Sequence, residues 1–145
     1  MDVNRQAKKL TALYAKWNSR FAPSAQQWSR ILSQPPSEPI TLVNLFKLRM
    51  KARYQDSEFA GTGEEAFQRY AAVSMPTMAR IGGEFLLVGE FCGSFIGRDE
   101  DWDVVAIGRY PNLDALIALH EDKDYVACFR HRAAACERQM VFACG

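Results

Sequence analysis

Four polar residues fall where the apolar periodicity of this sequence points inward, and they are the first candidates for chemistry. Asn44 sits in the middle of an apolar strand pattern, Arg109 lies near the end of another, and His120 and Arg132 occupy apolar helix stripes. A polar group taken out of water is costly unless paired, so each must have a definite partner. His120 is the natural proton carrier near neutral pH, and Arg109 or Arg132 carries the fork that holds a carboxylate or an enolate. Together with Glu90, Tyr54, Tyr70 and Tyr125 they supply the few polar groups of an otherwise apolar pocket. In that pocket His120, Asn44 and Arg109 are the candidate catalytic residues, and Tyr54, Tyr70, Glu90, Tyr125 and Arg132 the candidate ligand-binding ones. Each also has a structural reading. Asn44 can bond the backbone of a neighbouring loop, His120 can be a satisfied boundary histidine, and Arg132 can pair with an acid such as Glu90 or with helix carbonyls. His131 lies off the apolar stripe and reads as exposed.

Other chemistries lack their residues. Serine, cysteine and aspartate form no arrangement resembling a nucleophilic triad, and no carboxylate pair has convincing spacing. The four cysteines, Cys92, Cys128, Cys136 and Cys144, include no C-x-x-C pair, and there are only two histidines, which argues against a zinc site. The cysteines read instead as small apolar residues of a reducing compartment, Cys128 and Cys136 being spaced to share a helix face. Residues 1–55 hold ten lysines and arginines against two acids, and the remainder eight against fifteen, so the halves nearly cancel. Docking of a basic N-terminal part on an acidic body explains this asymmetry. Nucleic-acid binding is not expected, because no aromatics interleave the basic strip. No apolar run approaches the roughly 20 residues of a membrane span, and the N-terminus has no secretory pattern, so a cytoplasmic protein is expected.

These residues need elements to position them. Residues 1–38 read as a helical extension and linker: Leu10, Leu13, Tyr14, Trp17 and Phe21 share a stripe, and Ser24-x-x-Gln27 has the form of a capping box opening a second short helix. That helix presents Trp28, Ile31 and Leu32, and the proline-rich 34–39 stretch ends it. Such stripes should pack on the main domain or across a dimer. The domain proper, residues 39–145, begins with a strand at 40–47. Beyond it Lys47, Arg49, Lys51 and Arg53 recur at every second position, as a solvated edge or an anion-binding rim. Thr62-x-x-Glu65 caps a long helix that Gly82-Gly83 stops, with Pro76 predicting a kink or a break. Strands at 85–91 and 104–110 follow, then a helical block opened by Asn112 and resumed after the charged 121–124 run, and a short strand at 140–143.

The order is β-α-β-β-α-β, the ferredoxin-like α+β arrangement. The strands are apolar on both faces while one helical layer covers only one, so the order implies a partner.

The motifs also carry a resemblance. Tyr70 with Pro76 and Gly82-Gly83-Glu84-Phe85-Leu86, then Gly89, and Tyr125 followed seven residues later by Arg132 and Ala133-Ala134, resemble the domain-of-unknown-function 1330 family. The resemblance spans residues 40–145 and leaves out the N-terminal helices. It implies a dimeric α+β barrel, with two ferredoxin-like sheets facing one another in a homodimer. Related barrels include cofactor-free monooxygenases, lactone isomerases, dehalogenases and haem-handling proteins. Haem would require an inward histidine, for which His120 is the one candidate, and no cofactor is expected. By the resemblance, Tyr70, Tyr125 and Arg132 are the family-like positions. The expected function is a small-molecule pocket, with a cofactor-independent oxygenase or isomerase of an apolar carbonyl compound as the leading reading. The alternatives are a non-catalytic ligand-binding or stress-related dimer, and a protein-interaction module using the helical extension.

Overall fold

Local signals set most of the elements. In the computed structural model, which describes residues 1–17, 20–55 and 58–145, the first helix is α1 (Val3–Leu13) and the second α2 (Ala25–Leu32). Ser24 and Gln27 form the anticipated capping box on α2. Thr62 and Glu65 form another on α3 (Gly63–Arg80). That helix runs unbroken through Pro76; in the same turn Thr77 Oγ1 donates to the Val73 carbonyl (2.8 Å), and the helix lies packed along its neighbour. Gly82, at φ 90°, ends it. The Gly82 and Gly83 amides donate back to Ala79 and Met78, a left-handed stop that suits glycine.

The strands are β1 (Ile40–Leu48), β2 (Glu84–Glu90), β3 (Val104–Tyr110) and β4 (Cys136–Cys144), with α4 (Leu113–Glu121) and α5 (Lys123–Ala135) before the last. They form one sheet in the order β2-β3-β1-β4, antiparallel at every junction. Following the two N-terminal helices, this is the ferredoxin-like α+β fold, with its helices on one face. Among the described residues no helix is long and apolar enough to cross a membrane.

Register decides which side chains meet the helices. Ile40 pairs with Tyr110, Leu42 with Gly108 and Asn44 with Ala106, and these residues face inward together. Thr41, Val43 and Leu45 share the outer face with Arg109, Ile107 and Val105. Arg109 is therefore a correction to the inward placement: burial of Ala106 and Tyr110 puts the intervening arginine outside, exposed, opposite Thr41 and Glu84. The last strand is also longer than its apolar 140–143 centre, because Arg138 and Gln139 continue the ladder against Lys47 and Phe46. Cys136 thus begins a strand and shares no helix face with Cys128. Both are buried thiols, pushed up to about 11 and about 12 by desolvation, whereas Cys92 and Cys144 are exposed.

The basic row does not run on as one rim. The chain bends at Met50, and Lys47 is held by Asp101 (3.1 Å) and Asp103 (3.6 Å).

The N-terminal helices pack on their own domain. Leu10, Tyr14, Trp28 and Leu32 belong to the same buried cluster as Ile40, Leu116, Tyr125 and Phe129. Leu13 lies outside that cluster, half-exposed. Lys9 pairs with Glu121 (2.7 Å), and the Leu113 amide donates to Pro36 of the linker (3.1 Å).

One close approach has a measurable consequence. A Cβ on Gly63 would lie 2.1 Å from the Arg49 carbonyl oxygen, where backbone meets backbone and neither side can yield. Gly63→Ala should destabilise the fold by about 3 kcal/mol. Thermal unfolding then reads a drop of roughly 6–12 °C; an unchanged Tm would show that this approach relaxes freely.

Candidate functional site

Between the inner face of the sheet and helices α3–α5 lies a cavity of about 600 Å³. Most of its polar groups come from these three helices and the sheet. The i, i+4, i+7 spacing of Tyr125, Phe129 and Arg132 turns all three inward from α5, α3 contributes Tyr70 and Ser74, and the sheet contributes Asn44, Tyr110 and Gln139. His120 enters from the last turn of α4. Residues 20–31 close the remaining side with Phe21, Pro23, Trp28 and Ile31.

Arg132 is the centre of this arrangement. Its side chain is only 8% exposed, and its guanidinium stacks on Phe46 (4.8 Å), Tyr70 (5.5 Å) and Phe129 (5.5 Å). Nε donates to Gln139 Oε1 (2.8 Å), Nη1 to the Tyr70 hydroxyl (3.0 Å) and Nη2, at 3.5 Å, to Asn44 Oδ1. All three acceptors are neutral. Glu90, the acid named as one structural partner with helix carbonyls as the other, lies exposed at the end of β2 and away from the cavity. Burial works against the charge, yet a guanidinium stays protonated far above neutral pH, so it remains cationic. Buried charges are ordinarily paired with an opposite charge. Three of the five guanidinium hydrogens have these partners, which leaves donors for a ligand.

The tyrosines add another donor. The Tyr70 and Tyr125 hydroxyls lie 2.7 Å apart, so one proton joins them. Arg132 donates to the Tyr70 oxygen, and the pair therefore keeps one hydroxyl proton unused within the network. Desolvation raises the Tyr125 and Tyr110 phenols well above their usual range, so both are neutral.

His120 has the opposite character. Its Nδ1 lies 3.0 Å from the Leu116 carbonyl, which can only accept, so Nδ1 carries the proton and Nε2 presents a lone pair. Trp28 packs edge-on against the ring (4.9 Å, 84°), Tyr125 lies 5.4 Å away, and the Tyr14 hydroxyl donates to the His120 carbonyl (2.8 Å). Desolvation, assisted by Arg132, lowers its pKa to about 4, against the weaker pull of the Leu116 hydrogen bond, so the imidazole is neutral at pH 7.

A pH dependence follows from this shift. The unfolded chain takes up a proton on this histidine near 6.5, the folded chain only near 4. The stabilisation is complete above 6.5, declines as pH falls from there to 4, and levels off below; its size is on the order of 3 kcal/mol. Chemical denaturation across this window should show the slope in wild type and lose it in His120→Gln.

The structure brings together Asn44, Tyr70, His120, Tyr125 and Arg132, and leaves out Arg109, Glu90 and Tyr54. Tyr54 belongs to a separate cluster on the outer side of α3 and α5, where its hydroxyl meets His131 Nδ1 (2.7 Å) and accepts from Arg69 Nη1 (3.0 Å). His131 is consequently buried, contrary to its expected exposure, between Tyr54 and Phe59. Gln139, Tyr110 and Trp28 were not anticipated as lining residues. Gln139 was findable, since it lies two and four residues before Val141 and Ala143 on one strand face. Among the described residues no group of three histidine, cysteine, aspartate or glutamate side chains is placed to hold a metal ion.

The family model described as Domain of unknown function (DUF1330) matches residues 54–145. The chain belongs to this family. The matched DUF1330 segment contains Tyr70, His120, Tyr125, Arg132 and Gln139, and starts after β1 and the N-terminal helices. Among solved structures, the methylated RPA0582 protein is similar at 32% identity, over 86% of this chain and 92% of that one, with a TM-score of 0.78. The RPA0582 protein of unknown function from Rhodopseudomonas palustris is similar at 31% identity, over 88% and 96% of the two chains, again with a TM-score of 0.78. No curated protein matches the chain.

Proposed function

We propose that this DUF1330 protein is a homodimer whose subunits each bind a small apolar compound bearing a carboxylate, in the cavity between sheet and helices. The observation that carries the reading is Arg132: a buried cation at the base of an apolar cavity, hydrogen-bonded only to neutral groups. A ligand carboxylate would supply the missing negative charge, with the spare tyrosine hydroxyl as a further donor. Aromatic walls from Phe46, Phe67, Phe129 and Trp28 suit an aromatic or aliphatic body.

The homodimer is supported by the sheet's other face. Val43, Leu45, Val105, Ile107, Leu87, Met140 and Phe142 share it by register, and among the described residues no helix covers it. Leu87, Met140 and Phe142 are each more than two-fifths exposed in the single chain. A second sheet packed face to face would bury them.

A catalytic reading rests on His120. A neutral imidazole with a free Nε2, lining the same cavity as a fixed cation, is the pairing needed to take a proton from a carbon beside a carbonyl and hold the resulting enolate. That step suits a cofactor-independent isomerase or oxygenase. The low pKa of His120 weakens it as a base and favours the binding-only dimer until a bound anion restores its basicity.

Titration with aromatic and medium-chain carboxylic acids and their 2-oxo counterparts, followed by calorimetry, tests the site. The same complexes in D2O, followed by NMR, test the reaction. Exchange at the carbon beside the carbonyl, lost in His120→Gln while binding persists, establishes catalysis. Binding without exchange leaves a ligand-binding dimer, and absence of binding across the panel overturns the site.

A further inference from the structure

We propose that residues 21–31 form the specificity-determining wall of the cavity and set the length of the acid that Arg132 anchors; this rests on the carboxylate reading above. The cavity is chemically divided. Apart from Gln27 and the two arginines at its edge, its polar groups sit on α3–α5 and the sheet, whereas Phe21, Ala22, Pro23, Trp28 and Ile31 present an apolar surface. An acid bound head-first on Arg132 must lay its apolar body against the remaining surface, of which these residues form a side.

The wall is also coupled to the groups that recognise the head. Trp28 packs on the His120 ring, while the Phe21 carbonyl accepts from Gln139 Nε2 (3.5 Å). That contact turns the amide so that Gln139 Oε1 faces Arg132 Nε. The wall therefore bounds the cavity and orients its anchor at once. Exposed Arg20 and Arg30 border the same side, where they would attract an anion. The helix that bears Trp28 and Ile31 is short and independently capped by Ser24 and Gln27, and half-buried Ile31 lies near its end. A change of volume at Ile31 should thus reshape the cavity with little effect on the core.

The test compares wild type, Ile31→Phe and Ile31→Ala, binding a series of straight-chain saturated carboxylic acids of increasing length. Calorimetry reads affinity, and circular dichroism confirms that each variant is folded. The added bulk of phenylalanine should shift the preference to shorter acids and alanine to longer ones. The ratio of long-acid to short-acid affinity should move at least about tenfold, in opposite directions. Loss of stability alone would weaken all acids alike and would not produce opposite shifts. The same length preference in all three folded proteins overturns the wall. If wild type binds none of the acids, the carboxylate reading itself fails, and the wall with it.

Discussion

Arg132→Met should weaken binding of the acid that wild type prefers by about 30- to 4,000-fold, because removing one member of a buried charge pair costs roughly 2–5 kcal/mol. Methionine fills much of the same space and keeps apolar contact with Phe46, Tyr70 and Phe129, so the cavity should not collapse. Its effect on stability should be smaller. Gln139 Oε1, the Tyr70 hydroxyl and Asn44 Oδ1 lose their donor, but the fold no longer has to bury a cation without a counter-charge. A net cost of about 2 kcal/mol or less separates loss of binding from loss of fold. Arg132→Lys should recover only part of the affinity, since a single ammonium cannot serve Gln139, Tyr70 and a carboxylate in the planes that the guanidinium fork reaches. Calorimetric titration of the three proteins with one acid decides the matter. Equal affinity in wild type and Arg132→Met would show that the cation does not hold the ligand.

Leu45→Glu should convert a stable dimer to a monomer. Leu45 lies at the centre of the uncovered face, between Val105 of β3 and Met140 of β4 in the ladder. In a single chain, glutamate there stands in water at modest cost. Between two apposed sheets it would be an unpaired carboxylate, repeated by symmetry in each subunit, and unpaired charge at the core of an interface is strongly disfavoured. Analytical ultracentrifugation at micromolar concentration should give a dimer for wild type and a monomer for the variant. Lower thermal stability should accompany the change, because Leu87, Met140 and Phe142 then remain in water. A monomeric wild type would remove the homodimer from the proposal, whereas a dimeric Leu45→Glu would place the interface elsewhere.

These outcomes bear on the two sides of one sheet, and each side was legible in the sequence to a different degree. Double-sided apolar strands announced that something beyond the chain's own helices must cover the sheet. Which alternate residues face which way was harder. In the 104–110 strand both alternating sets are apolar enough to be buried, so periodicity alone does not assign Arg109. The pairing of Ile40 with Tyr110 assigns it to the outer face. Helices gave firmer phase. The stripes of α3, α4 and α5 turn Tyr70, His120, Tyr125 and Arg132 inward because residues three, four and seven apart share one helix face. His131, one residue from Arg132, shows the limit: α5 is also covered on its far side, where Tyr54 and Phe59 bury the ring.

Features whose causes lie within a few residues were specified locally: two capping boxes, the Gly82-Gly83 stop and the helix stripes. Their hydrogen bonds close over three or four positions, so spacing suffices to specify them. Long-range packing was needed to establish that Arg132 meets neutral acceptors, that Tyr54 leaves the pocket, and that residues 21–31 complete it. Those outcomes depend on contacts between residues distant in the chain, such as Arg132 with Tyr70 and Tyr14 with His120, and on strand register, which settles the face of every side chain at once.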